Sequence, residues 1–165
     1  MAIKDAFIAE LKHESALTKK MLERVPLDNA DWKPHEKSMT LGRLATHIAE
    51  NFKWVSEIKN IDDFDFATKL FKPHTAASQE ELIGLFQNNL DAAVNDLSLM
   101  TDEDFNKTWI VRAGEKVMYN MPKKVAIRGW VLSHHIHHRG QLSVYLRLLN
   151  VPVPGMYGPS ADERS

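Results

Sequence analysis

The chain contains no cysteine among its 165 residues. That excludes disulfides, thiolate-ligated zinc, iron–sulfur clusters and a cysteine nucleophile. Any metal must be held by nitrogen and oxygen, and any thiol chemistry must use a thiol from outside the chain. Charge of one sign is also missing. The formal net charge is -1 with histidine neutral, which gives no electrostatic reason to expect nucleic acid or an acidic membrane as a partner. No apolar run approaches the roughly 20 residues needed to span a bilayer. The opening Met1-Ala2-Ile3-Lys4-Asp5 brings in an acid too early for a signal peptide, so cytoplasm is the expected compartment. Repeats, low-complexity tracts and linkers are absent too. A single domain over residues 1–165 is expected, with the 44% hydrophobic and 26% charged content of an ordinary globular chain.

What is present is helical periodicity. Ile3, Phe7, Leu11, Leu17, Met21 and Leu22 predict a helix over residues 2–25, closed by Pro26. Thr40 is an N-cap for a second helix over 40–59, with Leu41, Leu44, Ile48, Phe52 and Val55 as its apolar stripe. Ser78 and Glu81 fit a capping box at the start of a third. Thr101 and Asp104 fit another, opening one short turn. Pro122 suits the first position of a fourth helix, which Asn150 and Pro152 stop. Four helices of about 20 residues would each be about 30 Å long. The expected fold is all-α, a four-helix bundle, with two long connections (residues 60–77 and 102–121) leaving room for a crossover. The second connection permits a small hairpin, with Trp109-Ile110-Val111 and Val117-Met118-Tyr119 on either side of Ala113-Gly114-Glu115.

The densest chemical signal is His134-His135-Ile136-His137-His138, which holds half of the eight histidines. Residues four apart share a helix face, so His134 and His138 can present two imidazoles to one metal ion. His135 is turned about 100° away from His134, and His137 is likewise turned from His138. These two read as flanking or surface residues. A catalytic zinc-type site uses three protein ligands and one open position. The third candidate is His47, on the inward side of the second helix in Leu44-Ala45-Thr46-His47-Ile48-Ala49-Glu50. Taken singly, an inward histidine is more often a hydrogen-bonded core residue, and an i, i+4 pair also occurs on solvated faces. His13, His35 and His74 read as half-exposed or solvated. Glu50, one turn beyond His47, is a candidate acceptor for a ligating imidazole's N–H. Trp130, Gln141 and Tyr145 lie on the His134–His138 stripe and are pocket candidates. Trp32, Trp54, Trp109 and Trp130 read as structural, lining one apolar cavity, with Met118 and Met121 able to wall it.

The run from His134 to Leu142, with Arg139-Gly140-Gln141 inside it, resembles the fourth-helix signature of the DinB/YfiT-like family. The segment around His47 resembles that family's second-helix motif, and Tyr157-Gly158-Pro159-Ser160-Ala161-Asp162-Glu163 resembles its common C-terminal ending. The likeness spans essentially the whole chain. It implies a four-helix bundle with a crossover connection, usually a homodimer. It also implies a divalent metal on three histidines, which by motif position are His47, His134 and His138; His135 is an addition to the pattern. Zinc or nickel is the expected metal, with iron also compatible. Known members are similar to transferases that use low-molecular-weight thiols on small electrophiles. Others resemble hydrolases, and a non-catalytic metal-binding stress-response protein is the rival reading.

Overall fold

The computed structural model describes residues 2–69 and 72–163. Its long helices are α1 (Ile3–Leu22), α2 (Leu41–Glu50), α3 (Lys53–Asn60), α4 (Gln79–Leu99) and α7 (His134–Leu148). The short α-helices are α5 (Asp102–Asn106) and α6 (Lys123–Ala126), and 3-10 turns lie at Leu27–Asn29 and Phe66–Thr68. A π-helical stretch, Ile127–Ser133, joins α6 to α7 without a break. The fourth predicted helix is therefore one rod of three segments, α then π then α. The second is two helices: at Asn51 and Phe52 the backbone tightens, with Trp54 N–H bonding to Asn51 O and Val55 N–H to Phe52 O, three residues back.

The N-caps read from the sequence are in place. Thr40 Oγ1 accepts the Arg43 N–H and Ser78 Oγ accepts that of Glu81. Thr101 and Asp104 form a reciprocal box. The Ser78 cap differs in detail, because the Glu81 carboxylate reaches past it to the Ala77 N–H. Gly42 lets the first turn of α2 lie against the preceding chain. Its N–H donates to Ala30 O, and a Cβ there would come within 2.9 Å of the Ala30 Cβ.

The all-α expectation needs correction. A three-stranded sheet, β1 (Asp63–Asp65), β2 (Thr108–Ala113) and β3 (Lys116–Pro122), lies in the two long connections in the order β1-β2-β3. The hairpin β2–β3 turns at Gly114, whose φ of 60° suits a residue without a Cβ. A two-stranded hairpin is marginal alone; here β1 adds in parallel on the other edge of β2. Arg112 pins this edge with ion pairs to Asp63 and Asp65. Asp65 also accepts the N–H groups of Gly114 and Ala67, which together hold its carboxyl below the usual range. Periodicity could not show β1, because three residues are too few to display a period of two.

The core runs through all the long helices. Leu11, Met21, Leu44, Ile48, Phe52, Leu82, Phe86, Leu142 and Leu146 have essentially no exposed surface. α1 packs on α4 and α7, α4 packs on α2 and α3, and α2 packs on α7. α7 is therefore covered on two sides, by α1 and by α2. Among the described residues no helix is long and apolar enough to cross a membrane.

Candidate metal centre

α2 and α7 lie side by side, and this contact brings the three predicted histidines together. One ring nitrogen from each of His47, His134 and His138 lies within 4.8 Å of the others. His47 Nε2 is 3.4 Å from His134 Nε2, and His138 Nε2 is 2.7 Å from the same atom. Three imidazoles on a tetrahedral zinc-type ion would have nitrogens about 3.3 Å apart, given Zn–N bonds near 2.0 Å. The first separation matches. The second is an N–H···N hydrogen bond, which must open by roughly 0.6 Å where an ion replaces the proton. The donor set is three neutral nitrogens facing one point, with no protein carboxylate among them.

Neutrality follows from placement. Burial, helped by the neighbouring His138, His134 and Arg43, lowers the pKa of His47 to about 4. Burial also lowers His134 and His138; for His138 the contact with Gln141 acts in the opposite direction. At neutral pH these rings are uncharged, the form in which imidazole ligates a metal.

The orientation of His134 comes from the π register. His134's backbone N–H bonds to Gly129 and Val131 rather than to Trp130, its partner in an α-helix. The Trp130 carbonyl can therefore receive His134 Nδ1–H at 3.2 Å. A carbonyl only accepts, so Nδ1 carries the proton and the lone pair of Nε2 faces the other histidines. Asn51, at the tightened turn between α2 and α3, places its carboxamide 3.2 Å from the same Nδ1, and its Oδ1 is buried without a partner. Gln141 sets His138 from 2.7 Å at Nδ1. A carboxamide serves either tautomer: its oxygen accepts when Nδ1 is protonated, and turned over, its N–H₂ donates when Nδ1 is not.

Glu50 does not touch an imidazole. Arg43, one turn before His47, takes the Glu50 carboxylate at 2.6 Å and lies 3.5 Å from His47 Nδ1. Tyr145 is buried beside Trp32, and its hydroxyl donates to Met39 O, away from the three histidines. Trp130 contributes its carbonyl to the centre. Its ring joins Trp54, Trp109 and Tyr119 at the seam with the sheet. Trp32 stands apart from that seam, so the four tryptophans do not share one cavity. Met121 packs against the core, whereas Met118 is exposed. His13 and His35 are exposed, as is His74, which pairs with Glu81.

Two residues were misjudged or missed in the sequence. His137 is exposed as expected, but His135 is not a surface residue: it has no exposed area. It stacks on Phe52 with centroids 4.3 Å apart, and its Nε2 lies 2.7 Å from Thr18 Oγ1. Thr18 gives its proton to the Glu14 carbonyl and Arg139 can only donate, so His135 Nε2 must be the donor to Thr18. Arg139 is the second. Its guanidinium is buried against Glu14 at 2.6 Å and also bonds the Tyr157 hydroxyl of the C-terminal segment. The 100° turn from His134, which suits a flanking or surface residue, instead points His135 at α1. The small hydroxyl of Thr18 on the inner face of α1 was the available sign.

Comparisons with known proteins agree with this architecture. The profile of the DinB family matches residues 1–164. Two uncharacterised proteins of Bacillus subtilis (strain 168) are similar to the chain. YrdA is 24% identical over 159 residues, covering 96% of this chain and 90% of YrdA. YjoA is 27% identical over 140 residues, covering 83% and 84%. Among solved structures, a DinB-like protein from Bacillus cereus ATCC 10987 superposes with a TM-score of 0.72 at 22% identity, over 93% of this chain and 97% of that one. The DinB-like YjoA structure from Bacillus subtilis gives 0.68 at 20% identity, over 97% and 99%. A family profile matched over nearly the full length, together with a shared fold, leads to one conclusion: the chain belongs to the DinB family.

Proposed function

We propose that the protein is a divalent-metal-dependent enzyme in which His47, His134 and His138 hold the ion through Nε2. The observation that carries this reading is the convergence of three neutral imidazole nitrogens within 4.8 Å of one another. Zinc or nickel suits the donor set, and iron is compatible with it. Such an ion supplies a Lewis acid that lowers the pKa of a water to about 7 or stabilises an external thiolate.

The residues around it do the holding. Trp130 O keeps His134 in the ligating tautomer, and Gln141 Oε1 is placed to accept from His138 Nδ1 when that ring ligates. A ligating His47 needs an acceptor at Nδ1, and Glu50, now paired with Arg43, is the carboxylate one turn away. Within this reading the helices form a four-helix bundle with a crossover connection, assembled as a homodimer in the cytoplasm. The reaction is transfer of a low-molecular-weight thiol to a small electrophile. The absence of cysteine supports that choice, because no thiolate of the chain competes with the substrate thiol for the metal. Hydrolysis by the same centre is the second chemistry, and a non-catalytic metal-binding stress-response protein is the rival.

The test is metal analysis of protein purified without a histidine tag. One equivalent of metal is expected, lost in His47→Ala, His134→Ala and His138→Ala. Unchanged metal content in all three variants sinks the site. Thiol consumption with a panel of electrophiles then separates the enzyme from the binder: turnover that disappears with the metal is expected, and silence across several thiols favours the rival.

A further inference from the structure

A cleft of about 600 Å³ opens beside His47, between α2, α3, β1 and α4. Three ammonium groups line it, from Lys53, Lys69 and Lys72, and among the described residues none of them is ion-paired. The two carboxylates that share the lining are Glu50, already committed to Arg43, and Glu57. The cleft therefore presents an excess of positive charge. Its apolar wall is Trp54 against Phe64, with centroids 5.1 Å apart, and Lys69 Nζ stands 5.6 Å from the Phe64 ring. Trp54 in turn meets Trp130, whose carbonyl orients His134. Asn51 lines the floor and reaches His134 on its other side. His47 and Asn51 thus belong to both the cleft and the metal centre.

We propose that this cleft binds the carboxylate of a small organic acid with a flat apolar body, the carboxylate on the lysines and the apolar part on Trp54 and Phe64. This names the substrate class of the site and takes its catalytic meaning from the metal reading above. Neutral water-filled clefts need no free lysines. A site for a bare inorganic anion needs no aromatic wall. Both features are present together next to His47. A body held on Trp54 shares the cleft with His47, the ligand through which it would meet the metal.

The test uses the metal-free protein, with benzoate, benzyl alcohol and inorganic phosphate as probes, read from the indole N–H of Trp54 by NMR titration. Benzoate is expected to shift this signal saturably, and benzyl alcohol to need about fivefold more ligand for the same effect. Lys53→Gln and Lys69→Gln should each weaken benzoate up to about fivefold, the scale of a partly exposed charge contact. Equal binding of benzyl alcohol, or no loss in either lysine variant, overturns the proposal. Displacement of benzoate by equimolar phosphate overturns the aromatic half of it. Because no metal is present, failure here leaves the three-histidine centre standing. His138→Ala, outside the cleft, should lose metal and keep the benzoate response.

Discussion

α7 carries two histidine-bearing faces that look alike in sequence and differ in what meets them. On one face His134 and His138 meet a third imidazole, His47, and the polar atoms around them are arranged by other donors and acceptors. On the other, His135 Nε2 and the Arg139 guanidinium meet α1, where Thr18 and Glu14 are their fixed partners. The first face brings ring nitrogens of three histidines to one point. The second leaves little unpaired: among the described residues, only His135 Nδ1 lacks a partner there. The difference lies in the facing helices rather than in α7 itself. An inward histidine becomes a ligand candidate when its neighbours across the gap are also bases, and a structural residue when they are a hydroxyl and a carboxylate.

The largest effect expected from breaking this contrast is on the structural face. Arg139→Met leaves the Glu14 carboxylate buried without its cation, which costs about 3–5 kcal/mol. Urea unfolding of the metal-free protein measures it. The double variant Glu14→Gln, Arg139→Met should recover much of the loss, since a neutral pair needs no counter-charge. Metal stoichiometry should survive in whatever fraction folds. A loss under 1 kcal/mol would mean that the pair is more hydrated than its burial implies.

The same contrast explains how far the sequence could be read. The helix periods, caps and inward histidines were legible because each is local: a 3.6-residue stripe, a Thr or Ser before it, two histidines one turn apart. His47 could be put on a face but not beside α7, since adjacency of helices is not a local property. β1 was invisible for want of length, and the π stretch because Ile127-Arg128-Gly129-Trp130 has no motif distinguishing five-residue from four-residue hydrogen bonding. His135 and Arg139 failed for one reason. Helical angles place a residue relative to one buried face, whereas α7 is covered from two directions, and a polar residue at such a position is matched by a partner far away in the chain.

A smaller effect should appear in acid. Burial and the neighbouring Arg139 together lower the pKa of His135 to about 3, whereas in the unfolded chain it is near 6.5. Below about pH 6.5 the unfolded chain binds a proton that the folded protein refuses, so stability falls as pH drops toward 3. The slope from one such group reaches about 1.4 kcal/mol per pH unit. His135→Phe, which keeps a flat ring against Phe52 and removes the titrating group, should flatten the acid limb by one proton relative to the parent. His47, His134 and His138 contribute to the slope in both proteins and cancel in the comparison. Metal-free protein unfolded in urea at pH 7, 6 and 5 gives the two slopes; parallel lines would show that His135 is not the neutral, buried base described here.

The smallest effect is expected from His137, and it tests where the ligating face ends. Its ring centroid is 4.9 Å from that of His138, close enough that distance alone would admit it as a fourth ligand. Direction argues otherwise. His137 is exposed, and the grouping of nitrogens that converge to within 4.8 Å does not include it. It is turned from His138 by the same 100° that carries His135 into the core, but away from both α1 and α2. His137→Ala should therefore leave stability within about 0.5 kcal/mol and metal stoichiometry unchanged, with affinity altered less than in any of the three ligand variants. Equilibrium competition against a chelator of known affinity measures this. Should His137→Ala release metal as readily as His138→Ala does, the ion would lie further out on α7 than the convergence of the three Nε2 atoms implies, and His47 would be the residue to lose its place among the ligands, because it approaches from the opposite side.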